Sequence, residues 1–276
     1  MRKAVAAAVV VSVLGGGAPA MAAGPLVEAR ATGSWQVDFG EQRCVALRSF
    51  VAGRTPVVLA IEPNPDGSGS RVLFRLPEGR GEPVVGFERA TFAINGTKVS
   101  DGISLWPAEG SGQLLMTGAR EDEDDGVRLA GMREVSLASS QLSARLPLSG
   151  MARVAGLLER CNRGLLASYG FAEAEQERLA SWPKLSMPIG RIFSAEDYPR
   201  DALRGGWQGE VRVRVDVDAA GSPKGCALRY GSGWPSLDQA TCRVLMARAR
   251  FEPARDKAGQ PMASPSFHTV RWRVPG

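Results

Sequence analysis

An alternating pattern of valine and charged residues near the C-terminus gives the clearest structural signal in the chain. In the segment 209–218, four valines occupy every second position, and charged residues stand between them. Side chains on a β-strand point alternately to its two faces, so this pattern predicts a half-buried strand with one apolar face and one charged face. A turn of small residues at 219–221 leads into a second alternating run ending at Tyr230. The two runs are predicted to form an antiparallel hairpin.

A helix and a further strand follow this hairpin. Apolar residues recur at helical spacing in the segment 236–250, and Pro253 shortly afterwards cannot continue a helix. The segment 267–274 alternates again and predicts the last strand of the chain.

Short strands separated by turns are predicted in the first half of the chain. Asn95-Gly96, between two apolar runs, is typical of a two-residue hairpin turn. Eight strands at this spacing favour an antiparallel sandwich or barrel. The predicted strands are 34–39, 44–50, 56–61, 71–76, 84–94, 102–106, 113–117 and 127–135.

The segment 147–168 changes to helical periodicity, with one face apolar throughout. We expect this helix to close the β-rich domain against its strands. The resulting division is a leader at 1–22, a β-rich domain at 23–170, a linker at 171–189 and a small domain at 190–276.

The first 22 residues have the features of a secretory signal peptide. A basic start at Arg2 and Lys3 precedes an apolar run at 4–14, and small residues at 18–22 offer cleavage positions. An uncleaved membrane anchor is the alternative, because the uncharged stretch 4–27 exceeds the roughly 20 helical residues that span a bilayer. Three glycines at 15–17 and Pro19 favour cleavage and export to the periplasm.

Export gives the four cysteines a structural interpretation. An even number of cysteines in an oxidising compartment favours disulfides over metal ligation or thiol catalysis. Three pairings are possible for Cys44, Cys161, Cys226 and Cys242. Pairing within each predicted domain favours Cys44 with Cys161 and Cys226 with Cys242.

Several spaced motifs in residues 190–276 resemble the C-terminal domain of TonB family proteins. Tyr198-Pro199 precedes a short helix, and G-x-V-x-V-x-V-D-V follows at 209–217. S-G-x-x-x-L-D-x-A-T-C stands at 232–242, R-A-R-F-x-P-A-x-D-x-x-G at 248–259, and V-R-W-R at 270–273. The cysteines at 226 and 242 are similar to those of a disulfide-containing subgroup of this family.

The resemblance implies a fold and a binding mode. The fold class is then α+β, with a β-rich domain closed by a helix, followed by a TonB-like domain with a three-stranded antiparallel sheet and two helices. In the family, the edge strand and the Tyr-Pro segment bind a short box peptide of outer-membrane receptors, and strand addition supplies the contacts. The expected peptide-binding residues are Tyr198, Pro199, Phe267, His268, Thr269, Val270, Arg271, Trp272 and Arg273.

The chain also departs from the family's usual pattern. TonB proteins generally carry a long proline-rich spacer and a membrane anchor with a functional serine and histidine. The segment 171–189 is short, and the leader lacks that pair. These departures put full energy transduction by this chain in doubt, and a leader that stays as a membrane anchor would favour it again.

No catalytic residue, metal site or cofactor is predicted. His268 is the only histidine and accompanies no nucleophile motif, so we expect a structural role for it. The acidic run 121–125 lacks the ligand spacing and central glycine of a calcium loop and predicts a solvated loop. The net charge of +5 is spread without a basic block, which argues against a nucleic-acid partner.

These observations favour a periplasmic binding module over an enzyme. The expected partner is an outer-membrane TonB-dependent receptor or another envelope protein, and a homodimer through the edge strand is an alternative use of the same surface. A non-transducing envelope adaptor or structural protein is the second hypothesis for the whole chain.

Overall fold

A computed structural model describes residues 25–67, 69–77, 86–108, 112–117 and 129–274. Within these ranges, ten strands of the N-terminal half form one sheet. They are β1 (Val27–Ala31), β2 (Gln36–Phe39), β3 (Cys44–Ala52), β4 (Thr55–Pro63), β5 (Ser70–Leu76), β6 (Gly86–Ile94), β7 (Thr97–Pro107), β8 (Gln113–Thr117), β9 (Glu134–Ala138) and β10 (Ser143–Pro147). The predicted leader and the acidic run 121–125 lie outside the described residues.

The N-terminal sheet closes on itself into a barrel-like structure. Its strand order is β1-β10-β9-β6-β7-β8-β5-β4-β3, and β2 pairs with the first part of β3. β1 joins the two ends because it pairs in parallel with β10 and antiparallel with the second part of β3. All other pairings in this sheet are antiparallel.

Helix α1 (Met151–Ser168) packs its apolar face against the interior of this sheet. Val154, Leu158 and Leu165 are buried among inward-facing strand residues such as Leu59 and Phe74. A disulfide between Cys44 of β3 and Cys161 of α1 joins the helix to the sheet, as predicted. The helix therefore belongs to the same core as the strands.

The C-terminal half begins with short elements and ends with a three-stranded sheet. Its helices are α2 (Glu173–Arg178), α3 (Ile189–Ile192), α4 (Arg200–Gly205) and α5 (Pro235–Arg248). Its strands are β11 (Leu179–Ser181), β12 (Lys184–Leu185), β13 (Gly209–Val217), β14 (Pro223–Tyr230), β15 (Phe251–Glu252), β16 (Ala254–Asp256), β17 (Pro261–Met262) and β18 (Ser264–Trp272).

The C-terminal sheet has the order β14-β13-β18, and both pairings are antiparallel. The four alternate valines of β13 are buried against α5, whose Leu237, Ala240 and Leu245 are also buried. A second disulfide, Cys226 to Cys242, joins β14 to α5. The predicted α+β class and both predicted disulfides are confirmed. No helix in the described part of the chain is both long and apolar enough to span a membrane.

The structure corrects some predicted elements. Asn95 and Gly96 do form the β6–β7 turn, with φ values of 51° and 79°. The predicted strand at 127–135 is wrong, because a 3-10 turn occupies Leu129–Gly131 and β9 begins at Glu134. β1 and β10, whose pairing closes the sheet, were not predicted.

Candidate functional site

The outer edge of β18 corresponds to the strand edge predicted from the sequence. β18 pairs along its length with β13, from Ser264 opposite Val217 to Trp272 opposite Gly209. In the described part of the chain it pairs with no second strand. Among the described residues, one side of β18 therefore has no neighbouring strand.

Pro265 indicates which residues direct their backbone groups to that side. Proline has no N–H and is tolerated in a strand where its nitrogen faces away from the neighbouring strand. Pro265 lies opposite Asp216. Residues at every second position share a backbone direction, so Phe267 and Arg271 direct their N–H and C=O groups to the same outer side as Pro265.

Most of the predicted peptide-binding side chains are buried. Arg271 and Arg273 are exposed, and Pro199 and Thr269 are half-buried. The buried members of the set are Tyr198, Phe267, His268, Val270 and Trp272. Because this exposed fraction covers the whole residue, backbone included, any contact that these five make with a peptide must follow a rearrangement.

The Tyr-Pro segment supports β18 from the face that α5 covers. The ring of Tyr198 meets that of Trp272 edge-on, with centroids 5.2 Å apart. The Tyr198 hydroxyl donates to the carbonyl oxygen of Trp207 at 2.5 Å. Trp272 Nε1 donates to Thr241 Oγ1 of α5 at 2.8 Å. These contacts fix the end of β18 without placing Tyr198 at its open edge.

His268 is a buried structural residue in this arrangement. Its Nε2 lies 2.9 Å from Ser266 Oγ, and its ring packs 5.6 Å from that of Phe251. Burial lowers the pKa of His268 from its ordinary value of 6.5 to about 4. The imidazole is therefore neutral in the folded protein at physiological pH.

We expect His268 to make the protein less stable as the pH falls from 7 to 4. The unfolded chain protonates this histidine near pH 6.5, whereas the folded chain resists protonation until about pH 4. The unfolded state thus binds more protons in this window, and stability falls by about 3 kcal/mol across it. Urea unfolding of the wild type and His268→Gln at several pH values checks this. An equal pH dependence of the two proteins between pH 7 and 4 contradicts the assignment.

The second face of the C-terminal sheet packs against the N-terminal sheet through a buried ionic cluster. The Arg212 guanidinium of β13 forms a salt bridge and hydrogen bond with the Glu62 carboxylate at the end of β4, and both side chains are almost fully buried. Arg212 also donates to Asn64 Oδ1 at 3.1 Å. Arg71 of β5 lies 3.3 Å from Glu210 of β13, which in turn contacts Arg271 of β18 at 3.1 Å.

The ionic cluster fixes the protonation of Glu62. Burial alone would raise the pKa of this carboxyl, but Arg212 and Arg71 together lower it below its ordinary value. Glu62 is therefore ionised at neutral pH and forms a true ion pair with Arg212.

An aromatic cluster extends this contact beside the ionic one. α1 ends in a Schellman motif, in which Gly170 N–H donates to Ala167 and Phe171 N–H donates to Leu166, both at 3.0 Å. The turn brings Tyr169 to within 6.3 Å of the Phe267 ring. Phe171, Leu166 and Phe267 share one buried cluster. The side chain of Phe267 is thus covered by the end of α1, while that of Arg271 pairs with Glu210 of the neighbouring β13.

Sequence reasoning missed this contact between the two sheets. It assigned the charged face of β13 to solvent, yet Arg212 is 2% exposed and Glu62 3% exposed. Their separation in sequence left no local signal for the pairing. One available signal was Glu62 itself, which directly follows the apolar run 57–61.

The described residues 189–274 thus form a small α+β module with a three-stranded sheet, an open edge strand and a covering helix. A comparison with known protein families finds a match for this module. Residues 194–274 match the family described as Gram-negative bacterial TonB protein C-terminal. The predicted resemblance is confirmed for these residues.

Two curated relatives match the same part of the chain. "Protein tonB2" of Pseudomonas aeruginosa is 44% identical over 66 residues, which are 23% of this chain and 24% of the relative. "Protein TonB" of Pseudomonas putida is 39% identical over 67 residues, or 24% of this chain and 27% of the relative. The chain therefore spans only about a quarter of each relative, and the likeness is confined to the C-terminal module.

Proposed function

We propose that this chain is a periplasmic TonB-like protein whose C-terminal module binds an extended peptide of an outer-membrane receptor in receptor-linked transport. The observation that carries the proposal is that β18 lies at the edge of the described C-terminal sheet, in a module that matches the TonB C-terminal family. A peptide added to this edge gains main-chain hydrogen bonds, and the adjoining side chains give register.

The proposal includes a compartment and a domain division. Two disulfides support the oxidising periplasm, to which the predicted leader would direct the chain. We assign 23–170 to the β-rich domain, 171–189 to the connection and 190–276 to the binding domain. In the structure, the connection is tied to the C-terminal module because β11 pairs with β16 and β12 pairs with β15.

The burial of the predicted side chains makes the backbone the main source of affinity in this proposal. Arg271 is exposed and directs its backbone groups outward while its side chain contacts Glu210. Phe267 is buried as a whole residue and contributes only after a rearrangement. The Arg271 side chain retains 38% exposure and could also meet an acidic group of the peptide. Sequence selectivity at this edge is therefore expected to be modest.

Arg271→Pro should weaken binding of a receptor-box peptide at least about tenfold, since it removes an outward N–H and constrains the strand. Arg271→Ala is the matched control, because it loses the same side chain but keeps the N–H. We expect its affinity to stay within about threefold of the wild type, as half-exposed ion pairs contribute little. Fluorescence anisotropy with a labelled box peptide measures both. Equal losses in the two variants would place the binding energy in the side chain and contradict strand addition.

A non-transducing envelope adaptor is the second candidate function. The buried ion pair between Arg212 and Glu62 favours it, because this pair holds the C-terminal module against the N-terminal sheet instead of leaving it on a free tether. In that case the wild type binds no receptor-box peptide, although the fold and both disulfides are intact.

A further inference from the structure

Access to the outer edge of β18 changes along the strand. The residues whose backbone groups face away from β13 are Pro265, Phe267, Thr269 and Arg271. Pro265 and Phe267 are buried, Thr269 is half-buried and Arg271 is exposed. Phe267 is only 5% exposed as a whole residue, backbone included. A peptide that approaches this edge therefore reaches the backbone near Arg271 but not near Phe267.

The end of α1 supplies much of the cover over Phe267. The centroid of the Tyr169 ring lies 6.3 Å from that of the Phe267 ring. Leu166 and Phe171 are buried in the same cluster as Phe267. We call residues 166–171, which are the end of α1 and the turn that follows it, the α1 cover. The other buried members of the cluster belong to the C-terminal module and are Ala254 and Met262.

The α1 cover is held by contacts of modest strength. Cζ of Arg214 lies 4.8 Å from the centre of the Tyr169 ring. The Tyr169 hydroxyl accepts a hydrogen bond from Arg229 Nε at 3.3 Å. Tyr169 is half-buried and brings no charge to this contact. Moving it away therefore costs less than separating the buried ion pair that joins the two sheets.

The α1 cover is a short segment between two fixed points. The disulfide at Cys161 holds α1 to the N-terminal sheet just before it. After it, β11 pairs with β16 of the C-terminal module. Gly170 lies inside the cover and has a φ of 87°, which ends the helix. Local opening of this segment therefore does not require the two halves of the protein to separate.

We propose that the α1 cover is an autoinhibitory contact, and that a receptor-box peptide pairs with the whole of β18 only after the cover has moved away. This inference rests on the proposed function, because it assigns regulation to the same strand edge. The backbone near Arg271 offers the first contact in the closed form. The apparent affinity for the peptide is then reduced by the fraction of molecules in which the cover is open.

Tyr169→Ala should strengthen binding of a labelled receptor-box peptide to the full chain at least about tenfold, because it removes contacts made only in the closed form. Damage to a binding surface has the opposite sign. Tyr230→Ala is the matched control, since Tyr230 is also half-buried between the two halves but lies beside Arg43 and Arg212. We expect its affinity to stay within about threefold of the wild type. No gain in a folded Tyr169→Ala variant, or an equal gain in both variants, overturns the proposal.

Amide hydrogen exchange of the free protein tests the cover without any peptide. In Tyr169→Ala, the Phe267 amide should exchange at least about tenfold faster than in the wild type. Val213 lies in the central strand β13 and pairs on both sides, so its exchange should stay unchanged. Acceleration at Phe267 that does not exceed the acceleration at Val213 overturns the proposed cover.

The two measurements together separate this inference from the proposed function. If Phe267 accelerates selectively and neither protein binds the peptide, the edge is covered as proposed but its assigned ligand is wrong. If the wild type binds the peptide and Tyr169→Ala binds it no more tightly, the proposed function stands and the autoinhibitory role is refuted.

Discussion

Replacing Arg212 with alanine should lower the free energy of unfolding by about 3–5 kcal/mol. Arg212 and Glu62 form an ion pair that is shielded from water between the two sheets. Removal of the guanidinium leaves the Glu62 carboxylate buried, with Arg71 at 4.0 Å as a remaining cationic neighbour. Such a buried charge is costly because neither water nor a matched partner solvates it. Equilibrium unfolding in urea, followed by tryptophan fluorescence, measures the loss.

Two controls separate this effect from the general cost of losing a charge. Lys98→Ala breaks an exposed ion pair with Asp101 and should cost less than about 1 kcal/mol. The double variant Glu62→Gln with Arg212→Met removes both charges and should be less destabilised than Arg212→Ala alone. A loss of less than about 1 kcal/mol in Arg212→Ala would show that the pair does not join the two sheets.

Removing the disulfide between Cys44 and Cys161 should cost about 5 kcal/mol, because it closes a long loop in the unfolded chain. The two cysteines are 117 residues apart in sequence. The disulfide between Cys226 and Cys242 spans only 16 residues, and its removal should cost about 3 kcal/mol. The matched variants are Cys44→Ala with Cys161→Ala and Cys226→Ala with Cys242→Ala, each compared with the wild type by urea unfolding.

The order of these two losses is the informative result. Loop-closure entropy in the unfolded state predicts a larger cost for the Cys44–Cys161 variant. The reverse order would contradict this explanation, and the stabilisation would then have to come from packing within the folded state.

The sequence was most informative where one pattern agreed with one local structure. The alternating valines of 209–217 predicted β13 and its buried face, and the helical spacing in 147–168 predicted most of α1. Asn95-Gly96 predicted a hairpin turn because both residues tolerate positive φ. Each of these signals depends on neighbouring residues alone.

Contacts between distant segments could not be predicted in this way. β1 and β10 close the N-terminal sheet through a parallel pairing of residues more than a hundred positions apart, as Val27 with Ala144 shows. Arg212 appeared as an exposed charge because its partner lies in another sheet. Packing against Leu166 and Phe171 at the end of α1 buries Phe267, which the family resemblance had suggested for peptide binding.

The sequence predicted which strand contains the candidate site. It predicted only in part which side chains of that site are accessible. The resemblance pointed to β18 and the Tyr-Pro segment, and within the described ranges β18 has only β13 beside it. It also shows that Tyr198 and Trp272 pack against each other on the face that α5 covers. Side-chain burial depends on tertiary packing, which motif spacing does not encode.

Amide hydrogen exchange with and without a receptor-box peptide tests the central claim most directly. β14 also lies at an edge of the C-terminal sheet and offers a competing surface, so the location of protection decides between the two strands. We predict that the peptide slows exchange in β18 (Ser264–Trp272) and leaves β14 (Pro223–Tyr230) unchanged. Binding that protects β14 alone, or protects neither strand, would contradict strand addition at β18.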